Sequence, residues 1–166
     1  MPSKPASGPS GRPAVGVDLP LRRPEWDLLV RLPRAVLVAA CAGDERVDAV
    51  AGVEAIAAGQ RSRALLVRGV VAAIFAEQLT DNDIDDTAAE PAAVLADCGY
   101  AVRLLAERIG PDVALAYGEW LMDIAASVGR TAWQAARIRL AGVEIQLAER
   151  RFVNGIALEL TRGLRR

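Results

Sequence analysis

The chain contains no histidine. That removes the commonest general acid/base and the commonest transition-metal ligand. Neither a Ser-His-Asp nor a Cys-His catalytic arrangement can be assembled from this chain alone. The two cysteines, Cys41 and Cys98, lie far apart and sit among apolar neighbours. They read as buried, reduced thiols, because free cysteine behaves as a small hydrophobe. Aromatic residues are scarce, at 4%. Long hydrophobic runs are missing too: the longest are Ala35–Gly43 and Ala64–Ala76, the second broken by Arg68. Neither reaches the roughly 18 residues a membrane span needs. No apolar signal segment opens the sequence, so a cytoplasmic location is expected.

What is present is helix-forming. Apolar residues reach 52% of the 166, supplied mainly by alanine, leucine and valine. Alanine and leucine cost little side-chain entropy in a helix. No period-two pattern of useful length suggests a strand. The expected fold is therefore all-α: a compact bundle of about six helices behind a disordered N-terminal arm. Residues 1–24 hold six of the nine prolines, interleaved with Ser and Gly. Such a segment cannot bury enough surface to offset its ordering entropy. Residues 25–166 are read as a single helical domain.

The other prolines, Pro33, Pro91 and Pro111, are each placed at a helix start, where a missing N–H costs nothing. This punctuation predicts helices over 25–32, 33–42, 47–58, 62–79 and 91–109, the last closed by Gly110. Pro111 opens a further helix with a stripe of Tyr117, Trp120, Leu121, Ile124 and Val128. Residues 130–144 are left open between helix and loop. A final helix is expected over 148–160, with Phe152, Val153, Ile156 and Leu160 facing inward.

The net charge of −1 is unevenly spread. Residues 35–124 carry fifteen acidic and six basic side chains, and residues 125–166 carry eight basic and three acidic. The basic C-terminal third, with Arg162, Arg165 and Arg166, has no aromatic interleaving for base stacking. Nucleic-acid binding is therefore not expected, whereas a protein partner or self-association is. The apolar content is high enough to suggest that one helix face is covered by a partner chain.

Two acidic stretches could hold a divalent cation, the only cofactor the residues suggest. Asp81, Asp83 and Asp85 open like a calcium loop. The sixth position is Asp86 rather than the glycine of the sharp turn, and the twelfth is Ala92 rather than a bidentate glutamate. Asp44 and Asp48 flank a turn between apolar helices, where they would cap the next helix or coordinate an ion. Glu119 and Asp123 share a helix face, but di-metal bundles add histidines that this chain lacks. Trp26, Trp120 and Trp133 would line a pocket only in a small-molecule-binding reading, and Trp120 is more simply core.

The segment Leu37–Ile56, LVAACAGDERVDAVAGVEAI, resembles the entry of tellurite-resistance TerB-like helical domains. An Ala-rich helix leads into an acidic turn in which Asp44, Val47 and Asp48 match. Ala148–Leu160 is similar to a later helix of that family. Glu45 stands where glycine is usual, and Ala51 where a first glutamate would fall. The resemblance implies a non-enzymatic interaction module associated with stress or metal resistance, with Asp44 and Asp48 as its acidic positions.

Overall fold

The computed structural model describes residues 19–42, 49–80, 90–136 and 142–165; side chains are described for 19–42, 49–77, 90–128 and 152–165. Among the described residues there are six α-helices, one 3-10 turn and no strand. The helices are α1 (Arg23–Cys41), α2 (Ala49–Ala58), α3 (Leu65–Thr80), α4 (Pro91–Arg108), α5 (Pro111–Ala136) and α6 (Gly142–Leu164). The 3-10 turn, Gly59–Arg61, follows α2 directly. No helix among the described residues is long and apolar enough to cross a membrane.

α5 is the axis of the bundle and packs against every other helix. Its expected stripe is buried throughout: Tyr117, Trp120, Leu121, Ile124 and Val128 all face the core. α5 continues to Ala136, which resolves part of the segment left open between helix and loop. α6 begins at Gly142, earlier than the expected 148, and runs on to Leu164. Ile156 and Leu160 are buried, and Phe152 and Val153 pack against the core from its edge.

The helix start expected at Pro33 is absent. Pro33 does not start a helix; it lies inside α1, which runs unbroken from Arg23 to Cys41. Proline in a helix interior removes the N–H that residue i−4 would accept from. The carbonyl left over is that of Leu29, and here the Tyr117 hydroxyl of α5 donates to it at 2.8 Å. A tertiary hydrogen bond replaces the missing intrahelical one, so the helix passes through the proline. No local sequence signal announces this, because donor and acceptor are 88 residues apart.

The start of α1 is fixed separately. The Glu25 carboxylate accepts the Arg22 backbone N–H at 2.6 Å and lies 3.5 Å from Arg108 at the end of α4. Farther along, Arg31 approaches Asp97 at 3.8 Å. These two pairs run α1 antiparallel to α4. Upstream of α1, Leu19 and Leu21 pack against the core.

α4 and α5 form a helical hairpin, turned at Gly110, whose φ of +156° disfavours a side chain. The N–H groups of Ile109 and Gly110 both donate to the Leu105 carbonyl at 2.9 Å. α6 lies parallel to α4, because Leu95 meets Gly155 while Val102 meets Gly163. A Cβ on Gly163 would sit 3.4 Å from the Gly99 carbonyl oxygen, so the two backbones approach closely there. Gly155, a poor helix former by propensity, thus leaves room for the Leu95 side chain.

The Tyr117 bond generates a double-mutant test. Tyr117→Phe strands the Leu29 carbonyl in the core and should cost about 1–3 kcal/mol of unfolding free energy. In a Pro33→Ala background the alanine N–H supplies the Leu29 carbonyl locally, and the cost of Tyr117→Phe should shrink to less than half. Urea unfolding of the four proteins measures both values. Equal costs in the two backgrounds would show that the proline and the tyrosine are not coupled.

Candidate functional site

α2, AVAGVEAIAA, carries one charged residue in ten. Its inner face is Gly52 and Ile56, both buried, and the buried Gly59 continues that face into the 3-10 turn. Gly52 lets the Leu37 side chain of α1 and Val128 of α5 press against the helix backbone. Gly59 lies under the Trp120 indole: a Cβ there would be 2.7 Å from Trp120 Cε2 and 2.8 Å from Val71 Cγ2. The Trp120 Nε1–H donates to the Ala55 carbonyl at 3.1 Å, supplying one of the acceptors that the end of α2 leaves over. The indole also meets the Tyr117 ring edge-on, with centroids 5.9 Å apart. α2 is therefore seated on α5 by shape and by one partly buried hydrogen bond.

The outer face of α2 is also apolar. Val50 is 61% exposed and Val53 50% exposed, and Ala49 and Ala58 are exposed beside them. A helix that is apolar all round is normally covered on every side. The last turns of α1, which meet α2 through Leu37, likewise carry no charge and expose Val38. Elsewhere the exposed large side chains occur singly: Leu65 at the start of α3, Tyr100 on α4, Leu115 on α5 and Leu158 on α6. Scattered apolar residues of that kind are ordinary surface. The α2 face is the one that sequence reading did not single out, although its signal, one charge in ten residues, was present.

The site residues expected from sequence fare differently. Asp44, Asp48, Asp81, Asp83 and Asp85 lie outside the described residues, as do the side chains of Trp133, Arg137, Arg139, Arg150 and Arg151. Among the described residues no group of three or more Cys, Asp and Glu side chains is placed to hold a metal ion. Glu119 and Asp123 are both exposed, on the polar side of α5. Trp120 is core, and Trp26 is half-buried near Gly69. No charged side chain is buried among the described residues, and no buried side-chain polar atom there lacks a partner.

The perturbed titrations belong to the core. Both cysteines are free thiols; Cys98 is buried and Cys41 half-buried. Burial pushes the Cys98 thiol up to about 12, with Asp97 and Glu159 adding to the shift. Burial also raises Cys41. Tyr117 is held well above the ordinary phenol value, first by burial and then by Cys98. These shifts keep the groups neutral at ordinary pH. A nucleophilic cysteine needs the opposite shift.

Comparison with protein-family models, with curated proteins and with solved structures found no match to this chain.

Because the folded chain holds the Cys98 proton more tightly than the unfolded chain, this contribution to stability is complete below pH about 9. It is lost as pH rises from there towards about 12. Stability should fall on the order of 2 kcal/mol between pH 8 and about pH 10.5, read by urea unfolding. Cys98→Ala should flatten that decline, leaving the part due to Tyr117 above pH 10. An equally steep decline in the variant would mean that Cys98 is not a source of it. A second outcome concerns the α2 seat. Gly59→Ala drives a methyl into a rigid indole and should cost about 1–3 kcal/mol in the same measurement.

Proposed function

We propose that the chain is a non-enzymatic helical interaction module of the TerB-like kind, associated with stress or metal resistance, that works through the outer face of α2. The observation supporting this reading is the apolar outer surface of a helix whose inner surface is already fully used. Gly52, Ile56 and Gly59 satisfy the packing against α1 and α5. Nothing in that packing calls for valine at positions 50 and 53. Burial of apolar area contributes about 25 cal/mol per Å², so two valines and their alanine neighbours supply several kcal/mol once covered. That is the usual driving force of protein association.

Val50→Asp with Val53→Asp tests the reading in the full-length chain. Both positions are exposed, so the melting temperature should shift by no more than a few degrees. Association should be lost, read as the disappearance of cross-linked and co-purifying species formed by the unaltered protein. Association that survives both aspartates, in a variant that still folds, would sink the reading.

A further inference from the structure

We infer that the occupant of the α2 face is a second copy of this chain, lying antiparallel to the first across α2 and the 3-10 turn. The inference rests on the reading of α2 as the interaction surface and adds the partner.

Two charges on this face point to that occupant. Glu54 is the single charge of α2, and it is exposed. One helical turn on is Ala58, exposed; three residues further, where a 3-10 turn brings side chains back into line, is Arg61, also exposed. Glu54 and Arg61 therefore lie on one side of the same rod, on the side of the two valines. About 12 Å of axial rise separates them, too far for an ion pair within the chain. Neither makes an ion pair with any other described residue.

A rod with an apolar strip, one acidic group near its middle and one basic group near its end is complementary to itself when reversed. A two-fold axis at Ala58 sets Glu54 of each copy opposite Arg61 of the other, forming two identical pairs. Isologous contacts have this property: a patch that matches itself closes a dimer. At the centre are the small residues Ala57 and Ala58, which allow close approach. A foreign helix would need this same order of charges; the second copy carries it already.

The area sets the strength. α2 with its 3-10 turn is about 20 Å long, so one face buries less than the roughly 800 Å² per partner of a standard interface. The dimer should dissociate in the micromolar range, and its population should depend on concentration.

Sedimentation equilibrium of the full-length protein between about 1 and 200 μM tests this. The weight-average mass should rise from the 17.6 kDa of one chain towards twice that value. Val53→Asp should hold it at the monomer. Glu54→Arg and Arg61→Glu, made singly, each place like charges opposite one another and should weaken dimerisation about tenfold or more. The double variant with both changes restores opposite charges across the axis and should return to within about threefold of the original. This rescue separates the stated pairing from general stickiness. A dimer that ignores the charge reversals, or a double variant no better than the singles, overturns the antiparallel pairing. A chain that stays monomeric at 200 μM overturns the inference. If that monomer still loses another protein on Val50→Asp with Val53→Asp, the interaction-module reading stands without it; if it loses none, both fall.

Discussion

The Tyr117 hydroxyl on the Leu29 carbonyl is the contact on which the arrangement of the bundle depends. Most of the core is aliphatic, and aliphatic burial has no direction. A helix sliding on such a surface by one turn would bury nearly the same area. Pro33 breaks that degeneracy by leaving one polar atom inside α1 that must be met from outside. Leaving it unmet would cost about 1–3 kcal/mol. Only one register of α5 on α1 brings a hydroxyl to it. One turn along α5, Trp120 does the same for the Ala55 carbonyl at the end of α2. The same stretch of α5 thus sets the positions of α1 and α2 through two hydrogen bonds and one pair of touching rings.

The scarcity of aromatics shapes the opposite side of the bundle. α4, α5 and α6 meet through Gly99, Gly118, Gly155 and Gly163, with Glu159, Leu160, Leu95 and Val102 respectively seated against the bare backbone. Thin side-chain layers bring helices close, and close backbones make many weak dispersion contacts. The surface ion pairs add little by comparison. Arg31–Asp97 is 3.8 Å long and largely solvated, and pairs of that sort contribute a fraction of a kcal/mol. Glu25 differs, because one carboxylate serves a helix start and a neighbouring helix end together.

Much of this architecture was legible in the sequence. The α5 stripe follows from periodicity, and the hairpin turn at Gly110 from the glycine and proline punctuation. The reading failed where a long-range partner overrode a local rule. Pro33 looked like a helix start because proline's cost is computed for an isolated helix; Tyr117 supplied the missing donor. The length of α6 is not legible because Gly142, Val143, Glu144 and Ile145 form no clear apolar stripe in the sequence. The candidate site was less legible than the fold. Attention went to the acidic residues Asp44, Asp48, Asp81, Asp83 and Asp85, because carboxylates carry chemistry. The α2 face carries none, and it differs from a core helix only once its outer side is known to be exposed.

That difference decides how the face should be read. A core helix needs apolar residues in a stripe of about 100°. In α2 the stripe is met by Gly52, Ile56 and the following Gly59. Polar residues at 50 and 53 would fold equally well and would resist aggregation better. Their exposure costs solubility. The seat beneath them is rigid: Leu37, Val128 and Trp120 press on glycines that have no room for a methyl. A rigid platform loses little conformational freedom on association, so even a small apolar area yields measurable binding. The scaffold and the surface therefore fit one account. α5 and its two aromatic hydrogen bonds hold a short helix still, and that helix presents outward the apolar face the core does not use.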